Sequence, residues 1–242
     1  MTGRSLSKMI GGSLVRTRLT QLRAVHRFML HHSLYPVALS SLLACVIYVG
    51  RLYLSHSLTY MFLVWNLFLA WVPYLCSLWA ALLHQRQPQR WWSLFVPCTL
   101  WLIFFPNAPY IVTDLWHLQE RPPVPMWYDI GLLITFAWTG CFLAIISLRT
   151  LQSLVNTYLG RVASWVFVFV VLGLSGIGIY LGRFLRWNSW DLFVNPTGIL
   201  EDMASWLIHP RHHLQTFGFT LLFTAFLIVC YLTVTSIQQL EQ

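Results

Sequence analysis

The sequence predicts an all-helical protein that crosses a lipid bilayer six times, and three observations carry that prediction. Of its 242 residues 57% are hydrophobic and only 9% are charged, against about 25% charged in an ordinary soluble domain. Mean hydropathy is +0.64. The apolar residues are gathered into six runs with few or no charges, each close to the roughly 20 residues a helix needs to span the hydrocarbon core. A soluble chain with so few charges would expose apolar area far beyond tolerated patches. Disordered, collagen-like and disulfide-scaffold classes are excluded on the same figures.

The runs are 34–50, 58–83, 93–113, 130–148, 162–182 and 214–237. The first is short, and Arg51 at its end can snorkel toward the headgroups. The second is longer than a crossing needs, so tilt or a kink at Pro73 is expected. Residues 1–33 form a basic tail, 34–237 the six-span domain and 238–242 a short C-terminal tail.

Charge sets the orientation. The tail carries Arg4, Lys8, Arg16, Arg18, Arg23 and Arg27 and no acid. With that tail cytoplasmic, Arg86, Arg90, Arg149 and Arg161 fall on the same side, so ten of fifteen basic residues lie inside. Arg51, Arg121, Arg183, Arg186 and Arg211 fall outside, with six of the seven acids: Asp114, Glu120, Asp129, Asp191, Glu201 and Asp202. Both termini are then cytoplasmic and the protein sits in the inner (plasma) membrane. The net charge of +8 serves topology rather than nucleic acid, because the basic residues lie between apolar runs and form no stripe. The implied partner is the bilayer.

The tail has two readings. It is basic, Ser-containing and acid-free, as organellar transit peptides are. Leu19, Leu22, Val25 or His26, and Met29 recur at helical spacing, which favours an amphipathic helix lying on anionic headgroups. In the last outer loop, Asn195-Pro196 reads as an N-cap followed by proline at the first helical position. A stripe of Ile199, Leu200, Met203, Trp206 and Leu207 follows, ended by Pro210. This is a short helix in the outer interface, with Trp187, Trp190 and Trp206 at headgroup depth and Trp91 and Trp92 serving the inner side. The five cysteines (Cys45, Cys76, Cys98, Cys141 and Cys230) all lie within apolar runs as packing residues.

The third run holds the most specific feature, Phe105-Pro106-Asn107-Ala108-Pro109-Tyr110. Two prolines three residues apart remove two donors, so the helix should break near Asn107 and restart after Pro109. By helical rise that is about 9 Å below the outer boundary. Lipid cannot satisfy the freed carbonyls, so the break must face protein or water.

Other polar groups reach the same level. Asn66 lies at that depth in the second run, and Asp114 and His117 share a helix face. Asp129 opens the fourth run. Tyr180, Arg183 and Arg186 close the fifth, followed by Asn188 and Asp191. With Asn107 and Tyr110 these residues outline an outward-facing polar pocket floored by the broken third run. In the fifth run Gly173, Gly176, Gly178 and Gly182 allow close helix approach. Asp114 with Arg183 or Arg186 also reads as a structural ion pair, and His209, His212 and His213 as solvated loop residues. Asp114, His117 and Asp129 offer a divalent ion only two carboxylates and one imidazole, so no metal or other cofactor is assigned.

The run Phe104-Phe105-Pro106-Asn107-Ala108-Pro109-Tyr110-Ile111-Val112-Thr113-Asp114-Leu115-Trp116-His117-Leu118 resembles the signature of a bacterial family of multi-pass membrane proteins, domain of unknown function 1361. Trp65 to Tyr74, Trp127-Tyr128-Asp129, and Gly182 to Asp191 resemble further motifs of that family, and the likeness extends over residues 60–235. The resemblance implies the architecture and no particular activity.

Three functions compete. In the first, the outer pocket binds or transforms a small polar ligand or lipid headgroup, with an Asp as base or anion partner and the arginines gripping phosphate or carboxylate. The second is secondary transport, which broken helices suit, although no run places an ionisable side chain in its central third. A structural or assembly role is the third. No nucleotide-binding loop, Ser/His/Asp set or intramembrane haem pair is present to assign a reaction.

Overall fold

A computed structural model describes residues 23, 26–208 and 214–239. Most of the basic tail (Arg4 to Arg18, Leu19, Leu22 and Val25), the loop residues His209, Pro210, His212 and His213, and residues 240–242 lie outside the described residues. The chain divides into two units, Met1–Leu39 and Ser40–Gln242. In the first, residues 26–31 are helical, Ser33 takes a left-handed turn (φ 54), and His26 and Tyr35 are hydrogen-bonded at 2.9 Å.

Helix is the only regular structure among the described residues; one isolated bridge, Arg121 to Val124, is the exception. Helix α1 is Leu34–Ser55, α2 Met61–Arg86, α3 Phe95–Phe104 and α4 Asn107–Tyr110. A 3-10 segment, Ile111–His117, continues α4. Then come α5 (Met126–Tyr180), a π-turn (Leu181–Leu185), α6 (Asp191–Val194), α7 (Pro196–Ile208) and α8 (Leu214–Gln239).

Among the described residues five helical stretches are long and apolar enough to cross a membrane: Leu34–Ser55, Met61–Arg86, Trp91–His117, Met126–Leu185 and Leu214–Ile237. The fourth merges the fourth and fifth expected runs. It is not straight, because Gly160 (φ 82, ψ 175) leaves the helical region and divides α5 into two arms. A positive φ of this size suits glycine, which has no Cβ to clash.

The core of the second unit follows helical periodicity. In α2, Leu63, Leu67, Ala70, Tyr74, Ser77 and Ala81 are buried at alternating spacings of three and four, and the helix runs through Pro73. The first arm of α5 answers with Leu132, Phe136, Gly140, Leu143 and Ser147. On the other faces Leu42, Val46, Phe68, Val170 and Leu221 are exposed. Those apolar sides suit contact with acyl chains.

Helix α1 extends past the expected end at Gly50 to Ser55. Arg51 therefore does not snorkel; it lies 2% exposed inside the second unit. Asn195 Oδ1 accepts from the Gly198 N–H (3.2 Å) at the start of α7, with Pro196 as its first residue. The apolar stripe of α7 is narrower than expected: Ile199 and Trp206 are buried, whereas Leu200 is 64% exposed. Trp206 packs edge-on against Tyr180 and is buried, so its ring faces protein.

Candidate functional site

The proline segment differs from the expected break. Phe105, Pro106 and Ile111 all keep right-handed helical φ/ψ. What changes is the hydrogen-bond register: α3 stops at Phe104, a single turn forms at Asn107–Tyr110 before rather than after Pro109, and the chain then tightens to 3-10. Side chains capture the freed carbonyls. Asn107 Nδ2 donates to the Phe104 carbonyl (3.0 Å) and to Ser189 Oγ (2.8 Å), and Ser189 Oγ donates to the Ile103 carbonyl (3.1 Å). The interruption thus faces protein, as the absence of competing water in lipid requires.

Glycines of α5 and of the π-turn let this segment approach. A Cβ on Gly178 would meet the Pro106 ring at 2.9 Å, one on Gly182 the Tyr110 ring at 3.2 Å, and one on Gly140 the Ala108 carbonyl oxygen.

Asp114 is 1% exposed. Its Oδ2 accepts from Asn66 Nδ2 at 2.7 Å and its Oδ1 from Arg183 Nη1 at 3.5 Å. Arg183 Nη2 lies 3.2 Å from His117 Nδ1. A guanidinium has only donors, so that ring nitrogen is the acceptor. Asn66 from α2, Asp114 and His117 from the 3-10 segment and Arg183 from the π-turn therefore close one network.

These groups border a hollow of about 560 Å³, whose rim also carries Phe62, Tyr110 and Arg186. Arg186 is exposed, in the left-handed region (φ 59, ψ 26), and no partner for it is found among the described residues. A non-glycine residue held at positive φ costs of order 1–3 kcal/mol and is concentrated at functional sites, as are π-turns. A smaller hollow of about 190 Å³ adjoins, lined by Pro106, Asn107, Asn188 and Ser189; Asn66, Tyr110 and Gly182 border both.

Three expected site residues lie elsewhere. Asp129 is fully buried and turned to Arg51: Nε to Oδ1 is 2.7 Å and Nη2 to Oδ2 is 3.2 Å. Tyr180 is buried in an aromatic cluster with Phe184, Trp206 and Phe219. Asp191 accepts from the Asn188 backbone N–H (2.6 Å) and shapes the loop. Among the described residues no three His, Cys, Asp or Glu side chains are grouped to hold a metal ion.

Sequence reasoning missed Arg51, Tyr60 and Ser189. The Arg51 guanidinium lies over the Tyr60 ring at 4.4 Å and Arg121 lies at 5.2 Å from it, so the ring face offsets two cations. The Tyr60 hydroxyl donates to the His117 carbonyl (3.4 Å). Burial first, then the negative Asp129, raises the Tyr60 phenol above its ordinary value, so it remains a neutral donor. Tyr60 thereby connects the Arg51–Asp129 pair to the Asp114 network. The available signal was an arginine and an aspartate at the ends of two different apolar runs, each without a nearby partner in sequence.

A family model described as "Protein of unknown function (DUF1361)" matches residues 65–230. No curated protein and no solved structure matches the chain.

Proposed function

This chain belongs to the DUF1361 family of proteins of unknown function, and on that footing we propose that this membrane protein binds a small polar ligand or lipid headgroup bearing an anionic group in the hollow beside Asp114. One observation carries the reading: the rim presents two guanidiniums, Arg183 and Arg186, against the single carboxylate of Asp114. The excess positive charge favours phosphate or carboxylate, which arginine grips in bidentate fashion. The π-turn and the left-handed Arg186 support it, since both hold arginines toward the hollow at a conformational cost.

The topology belongs to the same proposal. A helix of 60 residues would extend about 90 Å, some three bilayer cores. With its arms crossing separately on either side of Gly160, the chain spans the membrane six times with both termini cytoplasmic, and the Asp114 hollow opens outward from the inner membrane.

Arg186→Gln tests the reading, because Arg186 has no other partner among the described residues. The variant should reach the membrane at the parent level and fail to complement a strain lacking the protein; full complementation overturns the proposal.

A purely structural role is favoured by one fact, that both Asp114 oxygens already have partners. It predicts instead that Asp114→Asn and Arg183→Gln each lower the amount of protein in the membrane. Exchanging the two residues should then restore it.

A further inference from the structure

We propose that the corner at Gly160 is a second, separate binding site, which seats the phosphate of an anionic phospholipid. The backbone reversal at Gly160 opens a cavity of about 400 Å³ between the two arms of α5. Arg149 and Asn156 enter it from the first arm and Arg161 and Trp165 from the second. Neither guanidinium has a hydrogen-bond or ion-pair partner among the described residues. The Gln152 Oε1 is taken by the Tyr231 hydroxyl, which leaves the Gln152 amide group as a further donor in the same cavity.

Among the described residues no carboxylate competes for these donors. Of the seven acids, Glu241 lies outside the described residues, Asp114 and Glu120 precede Met126, Asp129 opens the first arm, and Asp191, Glu201 and Asp202 follow the second. Asp129 is separated from Arg149 by about 30 Å of helix, and Arg161 from Arg183 by about 33 Å. Two guanidiniums with no countercharge among the described residues, at the edge of a low-dielectric medium, recruit an anion, and the planar guanidinium fork matches phosphate.

The surroundings select the lipid form of that anion. Leu159 is 71%, Val162 80% and Val166 57% exposed beside the corner. A free phosphate has no use for such a lip, whereas acyl chains lie against it while the headgroup reaches the arginines. Trp165 adds an indole, an amphipathic group suited to headgroup depth.

The test is native mass spectrometry of the full chain in detergent, titrated with dioleoyl-phosphatidylglycerol and with dioleoyl-phosphatidylcholine. The parent should prefer phosphatidylglycerol. Arg149→Gln and Arg161→Gln should each weaken that binding about fivefold, the usual effect of one basic residue near an anionic surface. The hollow at Asp114 also presents arginines, so Arg186→Gln is run in parallel. A loss that follows Arg186 alone overturns the proposal, as does equal binding of the two lipids by the parent. If the glutamine variants aggregate, Arg149→Lys with Arg161→Lys keeps both charges and must retain the phosphatidylglycerol preference. Competition with excess inorganic phosphate separates the sources: no displacement supports the lipid, and full displacement overturns the lipid assignment in favour of a soluble anion.

Discussion

Replacing Arg51 by glutamine leaves the Asp129 carboxylate without its countercharge in a place water does not reach. The side chains of the pair are 2% and 1% exposed, with the shortest contact at 2.7 Å. Removing one partner of such a pair typically costs about 3–5 kcal/mol, because the remaining charge is neither solvated nor paired. Loss of the Arg51 stack on Tyr60 (4.4 Å) accounts for about 0.5–2 kcal/mol of such a loss. Against a total stability of roughly 5–15 kcal/mol, this is a large fraction. The measurement is denaturant unfolding of the purified protein in detergent micelles, followed by tryptophan fluorescence. Arg51→Met combined with Asp129→Leu removes both charges and should return to within about 1–2 kcal/mol of the parent, since apolar replacement of a whole buried pair is often neutral. Single variants within about 1 kcal/mol of the parent would refute the reasoning, for the pair would then be hydrated and of little consequence.

Other substitutions probe the proline segment and the topology. Gly178→Ala puts a methyl 2.9 Å from the Pro106 ring and should destabilise by about 1–3 kcal/mol in the same unfolding assay. Gly173→Ala meets nothing within 4 Å and should instead be neutral or stabilising by up to about 1 kcal/mol through helix propensity. Asn107→Ala leaves the Phe104 carbonyl without its side-chain donor and should cost about 1–3 kcal/mol; an unchanged unfolding midpoint would mean that water or another group replaces it. In a cysteine-free background, Glu120→Cys and Arg86→Cys, both exposed positions, should react with an impermeant thiol reagent from opposite sides of the membrane. Labelling from one side would overturn the six-span topology.

The helices were legible because burial in lipid and protein leaves a simple mark, long apolar runs punctuated by arginines. Asn66, Asp114, His117 and Arg183, which the sequence puts at one level, do meet. Partner choice was less legible. The first run left Arg51 at its boundary, one residue past Gly50; the continuation of the helix to Ser55 instead places it inside the protein beside Asp129. Proline chemistry marked the right place in the third run but not the outcome. Missing donors forbid particular bonds without dictating φ/ψ, so the backbone stayed helical while Asn107 and Ser189 closed the gaps. The Gly160 reversal is likewise a single residue, and its left-handed φ leaves no periodic trace.

One contact sets α8 apart. This helix packs chiefly on α5, where a Cβ on Gly176 would meet the Thr220 carbonyl at 2.8 Å and the Thr224 hydroxyl, and only 11% of its apolar window is buried. Held to α5 along one face, at Gly176 and again through the Tyr231–Gln152 hydrogen bond, a helix with so much apolar surface left over is sensitive to the thickness of the host bilayer. Changes in lipid chain length therefore bear first on α8 and the face of α5 that carries it, and last on the charge-paired groups around Asp114 and Asp129.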